Sequence, residues 1–510
     1  MHRSVTIDYR MNRLFHYTQR VVFSTPFFLV VILFVLPSCS KPVDIVGVKE
    51  SPPAIFPDYT GVTIPPNIAP LNFKLIEANG RAQAAIFNSD QVSFEVRGKN
   101  GQFHIPRSRW ASLLKASAGN GFTVTVCVQE EAGWTAFAPF KVDVAKEPVD
   151  PYLVYRLIEP GYETWNQMGI YQRNLENFTQ TALIENRAVG EDCMNCHSFC
   201  MQDPDQMMLH IRGGNAGTMV VIDGKPEKLN TKTEETLSAL VYPSWHPSGR
   251  FIAFSVNATR QDFHSADRNR VEVYDLASDV VLYDVEKHEI FTTAALFSKD
   301  RFETTPTFSP DGKSLYFSTA EACDLPNEYE SVKYSLCRID FDPETKQFGE
   351  SVDTLFNARL ENSSASFPRV SPNGKYLLYT KGAYGAFLIW HKEADLFIYN
   401  METGEHYPLT LANSGDAESY HSWSSNSRWI VFSSRRVDGL YTRPFIAYIN
   451  DGGEAEKAFV VPQKEVDFYD RLMKSYNVPE FVTGKVNVSG YQIARAAKTS
   501  PGIDVTFKKQ

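Results

Sequence analysis

The chain has 510 residues, a formal charge of −9 from 51 Lys and Arg against 60 Asp and Glu, and 43 % hydrophobic, 13 % aromatic and 22 % charged residues. That composition excludes a disordered chain and allows more than one hydrophobic core; an acidic balance without a basic block excludes nucleic acid as the main partner, because phosphate neutralisation needs clustered Lys and Arg. With 24 Tyr, 35 Phe, 29 Gly and 29 Pro, strands and turns are favoured, and the expected class is all-β.

Residues 1–38 read as a signal peptide: Arg3, Arg10, Arg13 and Arg20 with the single acid Asp8 precede residues 27–36, which carry no polar side chain. Ten apolar residues are too few to cross ~30 Å of hydrocarbon as a helix. The run ends in Leu36-Pro-Ser-Cys39, which resembles the lipobox of bacterial lipoproteins. The resemblance implies that Cys39 is lipidated and holds the mature chain at a membrane. Pro37 departs from the usual residue there, and plain cleavage nearby is the alternative. Ser40-Lys-Pro after Cys39 lacks an acidic cluster, and the expected location is the cell envelope, at the outer membrane facing the periplasm.

Residues 39–60, with Pro42, Pro52, Pro53 and Pro57, read as an extended tether. Residues 61–148 hold short β-rich runs, among them Val92-Ser-Phe-Glu-Val and Phe122-Thr-Val-Thr-Val-Cys-Val, separated by Gly, Asn and Ser turns, and suit a small immunoglobulin-like β-sandwich. Cys127 within the second run reads as a small buried hydrophobe.

Beyond Pro151 the chain repeats itself. The copies begin Tyr242-Pro-Ser-Trp-His-Pro-Ser-Gly, Thr305-Pro-Thr-Phe-Ser-Pro-Asp-Gly, Phe367-Pro-Arg-Val-Ser-Pro-Asn-Gly and Tyr420-His-Ser-Trp-Ser-Ser-Asn-Ser, and each continues into an alternating apolar run. In each, a strand enters a tight turn, set by Pro-Ser-Gly, Pro-Asp-Gly and Pro-Asn-Gly in the first three copies and by Ser-Asn-Ser in the fourth, and a second strand leaves it. These copies resemble the WD40-like repeats of the periplasmic TolB propeller family over roughly residues 160–460. The resemblance implies a β-propeller over 151–470 of about six blades at ~50 residues each. Two blades lack the motif; Gly169-Ile-Tyr-Gln-Arg with Thr181-Ala-Leu-Ile, and Thr218-Met-Val-Val-Ile, are their expected strands. Residues 471–510 are expected to form a closing tail, part helix and part strand.

Segment 190–215 carries the chemistry. Cys193-Met-Asn-Cys196-His197 is the attachment signature of a c-type haem: two thiols three positions apart reach the two vinyl groups of one macrocycle, and the following His presents an imidazole to the iron. One motif implies one haem c. A zinc site using Cys193, Cys196 and Cys200 lacks a second Cys pair, a thioredoxin-like pair lacks a βαβ setting, and a Cys193–Cys196 disulfide is strained. For the opposite side of the iron, strand alternation in Gln206-Met-Met-Leu-His-Ile-Arg puts Met207, Leu209 and Ile211 on one face and Met208, His210 and Arg212 on the other. His210 is the first choice of distal ligand and Met208 the alternative, an open position remains a third reading, and Arg212 suits a haem propionate. His246 falls in a repeat turn and reads as structural. Cys323 and Cys337 flank a polar segment that a disulfide would close.

Two function classes follow. One is a lipid-anchored monohaem electron-transfer protein working with an envelope redox partner. The other is an envelope binding, assembly or sensor propeller in which haem is structural or sensory. The whole chain resembles TolB-like propeller lipoproteins of Bacteroidetes type with one haem motif ahead of the recognisable repeats, which implies a fold and a cofactor but no reaction. Enzymes rank lower: the prolyl-oligopeptidase-like hydrolases need a Gly-x-Ser-x-Gly domain that the residues after the last repeat do not contain, and a haem peroxidase needs an open iron position.

Overall fold

Among the described residues, six antiparallel sheets follow one another from Tyr152 onward. The first consists of Ser475–Val482, Tyr152–Ile158, Gly169–Asn174 and Gln180–Glu185, in that order. The second runs Cys193–Phe199, Gln206–Arg212, Gly217–Ile222 and Lys225–Asn230, and the third Val241–Trp245, Phe251–Phe263, Val271–Asp284 and Glu289–Phe291. The fourth starts at Arg301–Phe308, the fifth at Ser364–Val370 and the sixth at Glu418–Trp423, each a four-stranded meander. The computed structural model describes residues 42–76, 81–160 and 167–508. Residues 1–38 and Cys39, the expected leader and lipid site, lie outside the described residues.

The four sequence repeats form the first strand, tight turn and second strand of sheets three to six. Gly249, Gly312 and Gly374 hold φ of +73° in these turns, and Ser427 takes φ +61° in the copy without Gly. Residues on both faces of the inner strands pack against the neighbouring sheets, so the core is a series of slabs between sheets. One slab holds Met194, Met207, Leu209 and Ile211 against Val154 and Ile170 of the first sheet; the next holds Met208 and Val220 against Trp245 and Phe254 of the third.

The C-terminal segment is part strand and part helix. Ser475–Val482 is the inner strand of the first sheet, paired antiparallel with Tyr152–Ile158, and it contacts the inner strands of both the second and sixth sheets. Beyond it, a helix at Gly490–Thr499 opens with a capping box from Ser489 and Gln492. Ile503–Asp504 and Thr506–Lys508 then extend the outer edges of the second and third sheets.

Ahead of the six sheets, Gln83–Asn88, Ser93–Gly98, Phe122–Glu130, Gly133–Ala136 and Phe140–Val144 form one antiparallel sheet, with a small second sheet of Ile55–Phe56, Phe73–Leu75 and Gln102–Phe103. Cys127 is fully buried there, as expected. Two features differ from the sequence reading. The segment read as a tether enters the fold at Ile45–Val48, which pairs in parallel with Gly133–Ala136. An eleven-residue helix, Arg107–Ser117, covers the sheet with Trp110, Leu113, Leu114 and Ser117 at helical spacing; its N-terminus has no side-chain cap, the signal that announces a helix in sequence. This domain shares one hydrophobic core with the fifth, sixth and first sheets, through Phe73 and Trp110 on one side and Trp429, Phe459 and Tyr469 on the other. Asp150 fixes the join by accepting from the Ser425 N–H at 2.7 Å and its hydroxyl at 2.5 Å.

Candidate functional site

Each of the six inner strands contains one residue in the left-handed region: Cys196, Tyr242, Thr305, Phe367, Tyr420 and Val478, with φ between 48° and 54°. At each, the register with the second strand slips by one residue, a β-bulge. The next residue is His197, Pro243, Pro306, Pro368, His421 or Pro479. The haem signature therefore sits inside the structural repeat: Cys196 takes the bulge and His197 the position that is Pro in four strands and His in one other.

That position points at the preceding sheet. His421 lies against the fifth sheet, its Nε2 3.2 Å from the Leu378 carbonyl and its Nδ1 3.4 Å from Thr380 Oγ1. His197 lies in the same way against the first sheet, facing the backbone of Val154 and Val478 with Arg156 beside it. Arg156 occupies the place of Thr380, as the pairings Arg156 with Asn477 and Thr380 with Ser366 show. The His197 ring is 2 % exposed, and neither nitrogen makes a hydrogen bond of good geometry to a described residue. Burial first, and then the Arg156 cation, push its pKa down to about 3, so the ring is neutral and keeps a lone pair at neutral pH.

The two thiols of the motif are free and half-buried. Burial raises the Cys196 pKa, while Arg212 and Arg156 draw it down. Cys193 stands opposite Arg212 in the strand register. Two partly exposed thiols three positions apart, followed at once by a buried, neutral imidazole, are the residues that would hold a c-type haem. Cys200 is apart from them, buried with its Sγ 3.7 Å from the His246 carbonyl and its pKa pushed up to about 12 by burial.

The expected distal ligands are not brought to His197. Met208 is fully buried in the slab facing the third sheet. His210 is 3 % exposed, with Nδ1 3.2 Å from Thr218 Oγ1, and lines a separate cavity of about 550 Å³ with Arg212, Lys232, Tyr242 and Asn257. His197 faces the first sheet and His210 the third, on opposite faces of the second sheet. Alternation within Gln206–Arg212 holds as expected, but the bulge at Cys196 breaks the parity that would carry it across to the motif. His246 is structural, bonded to Ser248 and to the Gly312 carbonyl. Cys323 and Cys337 are free thiols with separate neighbours, Glu328 and Thr354, rather than a disulfide.

All six inner strands line an axial cavity of about 200 Å³. At the level of the bulges, rings from different sheets meet: Tyr242 of the third sheet packs on Phe367 of the fifth with centroids 6.0 Å apart, and Phe367 on Tyr420 of the sixth at 5.1 Å. Two residues further along, the strands present Ser198, Ser244, Thr307, Arg369, Ser422 and Glu480, and the lining ends at the turns with Met201, Pro247, Pro310 and Pro372. Arg369 and Glu480 escaped the sequence reading, although both break a visible pattern. Arg369 replaces the Ser or Thr of Tyr242-Pro-Ser-Trp and Thr305-Pro-Thr-Phe, and Val478-Pro-Glu-Phe is an unrecognised copy of the same tetrapeptide.

No known protein-family profile matches the chain, and no curated protein matches it. Among solved structures, it is similar to TolB from Acinetobacter baumannii at 13 % identity and a TM-score of 0.39, covering 74 % of this chain and 85 % of that one. A puromycin-hydrolysing peptidase of Mycobacterium tuberculosis matches at 11 % identity and a TM-score of 0.35, over 82 % of this chain and 57 % of the peptidase. An oligogalacturonate lyase in complex with manganese matches at 11 % identity and a TM-score of 0.32, over 59 % of this chain and 91 % of the lyase.

Proposed function

We propose that this protein is a monohaem c-type cytochrome of the cell envelope, built on a six-bladed TolB-like propeller behind a small immunoglobulin-like domain and tethered by a lipid on Cys39 to the outer membrane, facing the periplasm. Haem c would be held by thioether bonds from Cys193 and Cys196, with His197 as iron ligand. The observation that carries the reading is the buried, neutral imidazole of His197 directly after the free thiol of Cys196, with a second free thiol, Cys193, three positions earlier on the same strand.

When bound, haem supplies a one-electron iron couple. The chain's own contribution is electrostatic and positional. Burial and Arg156 keep His197 unprotonated. Arg212, across the register from Cys193, places a cation where a propionate can be neutralised. The redox partner is an envelope protein. The test is the mass of the exported, denatured chain, which carries the increment of one haem; one zinc per chain and no haem spectrum overturns the reading.

A second reading is favoured by the axial cavity: an envelope binding or sensor propeller, in which the six inner strands hold a ligand and haem is structural or sensory. A ligand whose binding leaves the haem spectrum and potential unchanged separates the two.

A further inference from the structure

The sheet that precedes the six others has one covered face and one open face. The helix Arg107–Ser117 lies on the face that carries Phe122, with the Trp110 ring edge-on to the Phe122 ring at 5.7 Å. On the opposite face Asn88, Thr123 and Gln129 are exposed. The charges of that face are paired, Arg97 with Glu95 and Lys141 with Asp143. What remains is apolar and gathers along one edge. Ile45 stands beside Trp134 and Val48 beside Ala136, with a one-residue slip between the two pairs, so both side chains come to the open face on the side of Trp134. Ile45 is 41 % exposed, Val46 59 % and Val48 73 %. A contiguous row of exposed apolar side chains on a folded domain marks a contact with a protein or a membrane.

The length of chain ahead of this strand decides between the two. From Cys39 to Ile45 is six residue steps, about 20 Å at full extension, so a lipid on Cys39 pins this edge of the sheet at the bilayer surface. Trp is enriched at the level of the lipid headgroups, where the ring is sheltered and the N–H stays hydrated. Ile45–Val48 ends the sheet, with no described strand on its outer side; its free backbone groups need water, which the headgroup layer supplies and the hydrocarbon does not. Because the charges of the face pair off among themselves, the contact requires no anionic lipid.

We propose that the open face of the N-terminal sheet docks on the phospholipid headgroup layer along the edge formed by Ile45, Val48 and Trp134. This rests on the lipidation of Cys39 and is independent of the haem.

The test uses the exported, lipid-bearing chain in vesicles of phosphatidylcholine and phosphatidylethanolamine, with and without a nitroxide on the headgroup that quenches tryptophan emission at contact range. The expected result is quenching of the wild type that loses its Trp134 share in Trp134→Phe, one of seven tryptophans. Ile45→Ser with Val48→Ser, at exposed positions that leave the fold intact, should lose the same share. The mass of the same sample reports the acyl chains on Cys39 separately. No lipid mass overturns the anchoring and the inference together. Lipid mass with an unquenched wild type, the outcome if a protein covers this edge, or with equal quenching of the wild type and both variants, overturns the inference and leaves the anchoring intact.

Discussion

The inner strands of the second and sixth sheets place the same residue in the same position with different neighbours. His421 follows Tyr420 and His197 follows Cys196, both after a left-handed bulge residue, and both rings enter the slab toward the preceding sheet. At His421 the neighbours are an acceptor carbonyl at 3.2 Å and the Thr380 hydroxyl at 3.4 Å. At His197 the hydroxyl's place is taken by the Arg156 guanidinium, which donates to the Met194 carbonyl instead. One ring has a hydroxyl and a carbonyl for neighbours; the other has a guanidinium in the hydroxyl's place and follows a free thiol. The motif is thus a local modification of a structural repeat, and on the proposed reading its two Cys, with Arg156, turn a packing position into a ligand position.

The largest expected effect is on the cofactor. Cys193→Ala with Cys196→Ala should abolish the covalent haem increment in denatured-chain mass spectra while the circular dichroism spectrum stays all-β, because neither thiol closes a disulfide and Cys193 packs only at the edge of a slab, partly exposed. Loss of the fold in that variant would make the Cys pair structural and erase the difference between the two strands.

Next in size is the stability cost at the two His positions. His421→Ala removes a buried ring with its hydrogen bonds and leaves the Leu378 carbonyl unpaired, at about 2–3 kcal/mol in denaturant titration. His197→Ala on the haem-free chain should cost about 1 kcal/mol less, since no hydrogen bond of good geometry is lost. Equal costs would show that His197 is a strut as well.

Smaller still is the effect of Pro. Four of the six inner strands carry Pro at this position, so its backbone N–H is dispensable and its φ suits the ring. His197→Pro should fold with a stability change within about 1 kcal/mol, whereas Pro inside an ordinary strand would unpair a ladder bond.

The smallest effect is on the pH profile. Burial raises the pKa of Glu303 and Glu480 to about 8 and of Asp275 to about 7, with repulsion from Asp279 adding to burial at Glu303. Between their unfolded values near 4 and these folded values, the native state binds more protons than the unfolded one, so stability falls as pH rises. His197 and His421, pushed down to about 3, act in the opposite sense from pH 3 to about 6.5, where the unfolded state takes up the protons. Above about 6.5 only the acids act, and the melting temperature should decline from pH 6.5 to 8. Glu303→Gln should flatten that limb and His421→Ala the acidic one.

Much of the fold was readable because three of the four recognised repeats announce their turns with Pro two residues before Gly, with Ser, Asp or Asn between. The same two-strand unit in the second sheet was hidden because Cys200–Gln202 and Asp203 replace the tight turn with a longer one containing left-handed Met201 and Gln202. The unit in the first sheet was hidden because its inner strand at Ser475–Val482 pairs with a strand more than 300 residues earlier, a separation no local pattern reports. At the site, the Cys and His of the motif were legible as residue types, but His210 was misplaced. A strand in a sheet packed on both faces buries both sets of alternating residues, so alternation separates Met207 from Met208 without saying which neighbouring sheet each one meets. Arg156, which distinguishes His197 from His421, is far from the motif in sequence and becomes its neighbour only through the pairing of the first sheet.

The most direct test of the account is the absorption spectrum of the exported protein, recorded for the wild type and for His197→Pro, His421→Pro and His210→Ala. The account predicts covalent haem in all four, an altered iron spectrum in His197→Pro alone, and wild-type spectra in His421→Pro and His210→Ala. A wild type without haem, or a His197→Pro spectrum identical to the wild type, would contradict it.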